Sequence, residues 1–276
     1  MINNVVVISD LHCGCQVGLC PPEGMKLDGG NTVQPNATQL AIWEAWTGFW
    51  DEWVPSVTRG EPFAVVVNGD AIDGSHHRST HQISHNIEDQ VKLAEKVLAP
   101  VRDRCAAMYA IRGTEAHVGQ SSRDEEELFR SLGAEQDQLG NFTRYDLWLT
   151  VGACHCHFAH HIGTTGSMAY ETSAVMKELT ELFSDSARWE ERHPDMAVRS
   201  HRHRHVEVRV PTASRYAYAF VTAAWQGKTP FAYRIPGGRI MQPHIGGSVI
   251  RQGDEEFYTR HFTRTLRRSE TVVLGG

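Results

Sequence analysis

The chain has 276 residues, 41% of them hydrophobic and 22% charged, a balance that excludes a disordered tail, a coiled coil or a fibrous repeat and leaves enough length for a full core. Its net charge of −6 is unevenly spread: residues 1–198 carry 14 Lys+Arg against 28 Asp+Glu, and residues 199–276 carry 13 against 5. A basic last quarter either packs against acidic helices or borders a site that draws in phosphate-bearing molecules, nucleic acid included.

Val5 to Ile8 is a β-branched run without helical period and reads as a buried strand ending at Ser9-Asp10. From Leu11 to Pro35 the chain is rich in Gly, Pro and Cys, a long loop expected to form a lid or a pocket wall. Asn36 is placed to cap a helix over Ala37–Trp53, with Leu40, Trp43, Trp46 and Trp50 on its core face. Phe63 to Val67 repeats the buried-strand pattern and stops at Asn68-Gly69-Asp70. A helix over Ile87–Val101, a strand over Met108–Ile111 and an acidic helix over residues 123–133 follow. Alternation of this kind predicts an α/β architecture with polar residues gathered where strands stop. Tyr145–Val151 and His155–Ala159 read as a hairpin, Ser167–Phe183 as a helix, Met196–Arg199 as a short strand, and the remainder from Val206 as strands and turns. No repeat or linker divides the chain, so one domain over residues 1–276 is expected. No apolar run approaches the roughly 20 residues of a membrane span and the first residues lack a signal-peptide pattern, so the expected location is the cytoplasm, away from the membrane.

Six cysteines without such a signal read as free thiols rather than a disulfide framework. The 16 histidines are the more unusual feature. They cluster at His76-His77, at His155, His157, His160 and His161, and at His201, His203 and His205, as metal-binding imidazoles do. Five strand-end blocks stand out: Asp10-Leu11-His12, Gly69-Asp70-Ala71-Ile72-Asp73, Gly113-Thr114-Glu115-Ala116-His117, His160-His161 and His201-Arg202-His203. Each alone is common, but the mixture of carboxylate and imidazole is what two neighbouring divalent metals require. If these segments are extended, a spacing of two points Asp10 and His12, and likewise His201 and His203, toward one ion.

In order and wording these blocks resemble the calcineurin-like metallophosphoesterases, whose pattern runs D-x-H, G-D-x-x-D, G-N-H-D/E, a histidine after a strand, and G-H-x-H. The stretches SDLHCG, NGDAIDG and RGTEAHVG look most like the branch found in tailed phages and prophages. The resemblance implies a four-layer αββα sandwich, two packed mixed β-sheets flanked by helices. It implies Asp10 and His12 on a first metal, Asp70 bridging both, His160 and His201 on the second, His203 on the first, and Asp73 supporting the loop. His161 is the fallback for His160 and otherwise faces substrate. Ser200 replaces the usual glycine of the last motif. The larger departure is Thr114-Glu115 where the family has Asn-His: either Glu115 takes over as a ligand or the second metal site is weaker than usual, with Thr114 expected to face substrate and His117 to supply the acid or phosphate-binding role. Arg112, with Arg202, Arg204 and Arg209, is a candidate phosphate clamp.

The implied chemistry is hydrolysis of a phosphodiester by a hydroxide bridging two divalent ions, with Asp70 and His117 as the residues that carry it. Mn²⁺ is foremost, and Fe, Zn²⁺, Ni²⁺ and Mg²⁺ also suit such ligands. A phosphomonoesterase, a phosphoprotein phosphatase, and a scaffold that keeps the metals without turnover remain open as alternatives, as does the oligomeric state.

Overall fold

A computed structural model of the chain describes every residue except 1, 77, 120, 164–167, 214, 235–240, 267–271, 273, 275 and 276. In chain order the elements are β1 (Asn4–Ile8), β2 (Met25–Lys26), β3 (Thr32–Val33), α1 (Ala37–Gly48), α2 (Val54–Thr58), β4 (Phe63–Asn68), α3 (Ile87–Arg104) and β5 (Ala107–Ile111). Then come α4 (Glu115–Val118), α5 (Arg123–Ser131), β6 (Thr143–Arg144), β7 (Asp146–Val151), β8 (Cys154–Ala159), α6 (Glu171–Arg188), β9 (Met196–Arg199), β10 (Val206–Pro211), β11 (Tyr216–Val221), β12 (His244–Gln252) and β13 (Phe257–Thr265).

Two large mixed sheets result. The first has the order β13-β12-β1-β4-β5-β6 and the second β10-β11-β9-β8-β7. Within the first, β1, β4, β5 and β6 run parallel. Alternate residues of one strand face opposite sides, and β1 uses both. Val5 and Val7 join Val66, Phe158, Val198 and Ile250 between the sheets, while Val6 and Ile8 join Ile42, Trp46, Leu98 and Phe129 under the helices. On the far side, Val175 and Leu179 of α6 cover Ala197, Ala219 and Val221. The layers are therefore helix, sheet, sheet, helix, as the family resemblance implied.

Three local expectations change. Asn36 does cap α1, accepting from the Gln39 amide while Gln39 returns the bond. The helix, however, passes through a π-helical turn at Phe49–Trp53 and continues to Thr58. Gln39 and Ile42 are buried while Leu40 is 44% exposed; the apolar face is rotated from the expected one, and the wider turn brings Phe49, Trp50 and Val54 inward together. Second, the first part of the segment after β1 is no lid: Leu11, Cys13, Cys15, Leu19 and Cys20 are buried and form part of the core, so this part is a fixed wall, while most of residues 22–35 are exposed. Third, α6 begins at Glu171; Ser167, expected as its start, lies outside the described residues, as does His77. All six cysteines are buried free thiols.

Candidate metal centre

Parallel strands place their C-terminal ends together, and polar residues just beyond those ends share one edge of the sheet. Beyond β1 stand Asp10 and His12, beyond β4 Asp70 and Asp73, and beyond β5 Thr114; the second sheet adds His160 after β8, then His201 and His203 after β9. The expected reason for the two-residue spacing does not hold. Asp10 (φ 53°), His12 (φ 44°), Asp70 (φ 54°), His201 (φ 71°) and His203 (φ 54°) are all left-handed, not extended. Tight turns after the strands, rather than strand alternation, bring these side chains together.

The grouping is close. Asp10 Oδ1 is buried without a hydrogen-bond partner, yet the Nε2 atoms of His203, His12 and His160 stand 3.2, 3.9 and 4.0 Å from it. His12 Nε2 and His203 Nε2 face each other at 3.3 Å. Across the centre, Asp70 Oδ2 lies 3.0 Å from His160 Nε2. Ligand atoms of Asp10, His12 and His203, of Asp10, Asp70 and His160, and of His12, Asp70 and His117 come within 4.8 Å of one another. An orphaned carboxylate oxygen ringed by imidazole nitrogens is the donor set a divalent cation satisfies, so these residues fit the metals the sequence implied.

Surrounding bonds aim the ligands. His160 Nδ1 donates to Asn68 O at 2.7 Å, leaving Nε2 for the centre. His12 Nδ1 sits 3.1 Å from Asp73 Oδ1, while Gln82 and Gln226 donate to the same carboxylate. Asp73 thus positions His12, a sharper role than loop support. Gly69 makes room for the imidazole: a Cβ there would fall 2.3 Å from His160 Nδ1. Burial opposes charge at all of these groups, but opposite charges prevail. His160 is raised to about 10 by the Asp70 carboxylate against the effect of burial. His12 is raised by its bond to Asp73, and the Asp10 and Asp70 carboxyls are held below their ordinary range by the imidazoles beside them.

Thr114 takes the position of the family asparagine. Its amide donates to Asp70 Oδ1 at 2.6 Å, and its Oγ1 lies 3.2 Å from Asp70 Oδ2, 3.2 Å from His160 Nε2 and 3.1 Å from His201 Nδ1. Glu115, expected as a replacement ligand, is exposed at the start of α4 and joins none of the ligand groups among the described residues. Arg112 is likewise directed elsewhere, with Nε donating to Thr143 Oγ1 and its guanidinium over the Tyr145 ring. Arg209 stacks on Tyr216 at 3.7 Å. Neither lines the cavity in front of the centre. His161 stands exposed beside His160 and His201, ring centroids 5.0 and 5.2 Å away. His117 does reach the centre, with its ring 4.5 Å from that of His12 and its Nδ1 donating to Asp73 O at 2.6 Å.

Several contributors carry no motif. Buried Glu125 of α5 accepts from the amides of Ala71 and Gly113, tying the Asp70 and Thr114 loops together; burial pushes its carboxyl up to about 7. Asn68 donates to Ala159 O and Ser200 Oγ, joining the two sheets beside the ligands. Asn68 is marked in the sequence by polarity at the end of an apolar run, whereas Glu125 sits among other acidic residues and carries no such signal. The centre opens into a cavity of about 540 Å³ whose walls include His76, Arg78, Arg202, Arg204, Lys228 and Arg234.

No model of a known protein family and no curated protein matches the chain. Solved structures do. They include a conserved uncharacterized protein, a predicted phosphoesterase, from Streptococcus pneumoniae TIGR4 (11% identity, 95% of this chain and 98% of that one, TM-score 0.35). Vacuolar protein sorting 29 from Cryptosporidium parvum matches at 10% identity over 96% of this chain and 98% of that one, TM-score 0.35. A metallophosphoesterase from Sphaerobacter thermophilus matches at 9% identity over 94% and 88%, TM-score 0.40. The chemistry is read from the side chains.

Proposed function

We propose that this protein is a metal-dependent phosphodiesterase. The observation that carries the reading is the convergence of buried Asp10 and Asp70 with four imidazoles at one edge of the two sheets, opening on a cavity with cationic walls. Asp10, His12 and His203 would hold one divalent cation, His160 and His201 the other, with Asp70 shared between them and Mn²⁺ the foremost candidate. When bound, such ions supply Lewis-acid charge and make water a nucleophile near neutral pH.

The chain's own residues do the rest. Asp73 and Asn68 hold His12 and His160 in the tautomers that leave each Nε2 free. The Thr114 hydroxyl stands where it can donate to a phosphoryl oxygen. His117, its Nδ1 proton given to Asp73 O, has Nε2 left for proton transfer. Burial and the neighbouring His12 push its pKa down to about 4, so a proton taken up at Nε2 from metal-activated water would pass readily to the leaving oxygen. Arg202 and Arg204 bring positive charge to the wall where the ester's non-bridging oxygens lie.

The test is hydrolysis of bis(p-nitrophenyl) phosphate beside p-nitrophenyl phosphate, by chelated protein titrated with Mn²⁺ and with Asp70→Asn as the blank. Metal-restored turnover favouring the diester and lost in the variant is expected. Turnover retained by Asp70→Asn would sink the assignment, and faster cleavage of the monoester would move it to a phosphomonoesterase.

A further inference from the structure

We propose that the substrate of this site is single-stranded nucleic acid, held along the wall that includes His76, Arg78 and His81 on one loop and Lys228, Phe231 and Arg234 on another; this rests on the phosphodiesterase reading above. The cavity walls carry Arg78, Arg202, Arg204, Lys228 and Arg234, and among the described residues lining it the only carboxylates are Asp70 and Asp73, both turned to the centre. Every other charge among those described residues is positive. Two of these cations are engaged locally, Arg202 with Gly163 O and Arg204 with Glu171. Arg78 and Arg234 are exposed, and neither makes an ion pair among the described residues. Four of the five cations come from the basic last quarter of the chain.

Charge alone would suit any phosphorylated molecule. Two further observations point to a strand of nucleotides. Phe231 and Tyr233 are 53% and 46% exposed on the same loop, and Lys228 Nζ lies 4.0 Å from the Tyr233 ring centroid. Aromatic faces interleaved with cations bind stacked bases and their phosphates without requiring a sequence. The inner side of the centre is recessed, with Asp10 and Asp70 wholly buried and His12 and His160 1% exposed, while His201 stands exposed at its mouth. A stiff duplex keeps its phosphates on a convex surface, whereas a single strand bends a phosphate into such a recess while its neighbours rest on the wall.

The experiment uses the metal-loaded full chain, a labelled single-stranded oligonucleotide of about 12 nucleotides, its duplex form, a phosphopeptide and bis(p-nitrophenyl) phosphate. The single strand is expected to bind and to be cleaved in preference to the duplex, with affinity falling as salt rises. The double variant Arg78→Ala/Arg234→Ala should weaken its binding about tenfold or more and flatten the log–log salt slope by about 1.4, at roughly 0.7 for each phosphate no longer neutralised. Phe231→Ala should weaken binding without changing that slope. Both variants should load metal as the parent does, so that a change in strand binding is not loss of the centre. Oligonucleotide binding that ignores these variants, preference for the duplex, or faster cleavage of the phosphopeptide would overturn the proposal. Anisotropy reads binding whether or not turnover occurs, so absence of diester cleavage counts against the phosphodiesterase reading and absence of strand binding against this one.

Discussion

Five of the residues that converge on the centre hold a backbone conformation that L-amino acids adopt at a cost of about 1 kcal/mol or more each. Such turns persist because backbone bonds between neighbouring turns, such as Asp10 N to Gly69 O and His12 N to Asp70 O, hold them, and they aim short side chains into one point. Thr114 is the residue on which the second half of the centre depends, since its hydroxyl touches Asp70, His160 and His201 at once. Thr114→Val, equal in shape, should weaken the affinity of the second metal by about 10- to 100-fold and leave the first nearly unchanged; metal titration of the chelated variant would show it, and equal affinities would reduce Thr114 to packing. The His160–Asp70 pair contributes to the pH response of the metal-free protein. His160 is raised from 6.5 to about 10, so the folded form binds the proton more tightly than the unfolded one. Its stabilisation is complete below pH about 6.5 and is lost as pH rises through about 10. Denaturant melts of metal-free protein should show that decline, and Asp70→Asn, which removes the partner carboxylate, should flatten it.

At the scale of elements, the loops carrying Asp70 and Thr114 are held by a group from neither. Glu125 projects from α5 and satisfies the amides of Ala71 and Gly113 with its two oxygens. Glu125→Gln keeps one acceptor and turns an amide donor on the other N–H, which should cost about 1–3 kcal/mol. The loss should appear in the urea midpoint and in weaker metal binding together. A variant as stable as the parent, with unchanged metal affinity, would show that the loops hold themselves. The π-helical turn between α1 and α2 shows the same dependence on packing. The tryptophan spacing there is helical, but the buried face follows Phe49, Trp50 and Val54 because the sheet beneath them fixes the register.

At the scale of the whole molecule, the two sheets meet at the edge where the ligands stand, through Asn68 and Ser200 near the centre and through Thr222 and Ser248 further along. A cation held between residues of both sheets binds the folded chain and not the unfolded one. Chelation should therefore lower the midpoint of thermal unfolding by about 5–10 °C from a state saturated at roughly 100 times the dissociation constant. Scanning calorimetry with and without chelator measures this, and an unchanged midpoint would mean that the centre holds no ion in the folded protein. Among the described residues no helix is long and apolar enough to cross a membrane.

Strand ends at Asp10, Asp70 and His160 were legible because a buried strand is a continuous apolar run and the first polar residue after it marks the edge of the sheet. The α/β alternation followed from the same local periodicity, and the ligand order from the resemblance of motif to motif. Other features are properties of space rather than of neighbouring letters. The exposure of Glu115, the turning of Arg112 toward Tyr145 and the burial of the first part of the segment after β1 depend on which elements pack beside them. Glu125 and Asn68 act across 54 and 132 residues of chain, a separation at which a single sequence carries no period. Hydrophobic pattern specifies what lies inside, whereas the partners of a buried polar group are chosen only when distant segments meet.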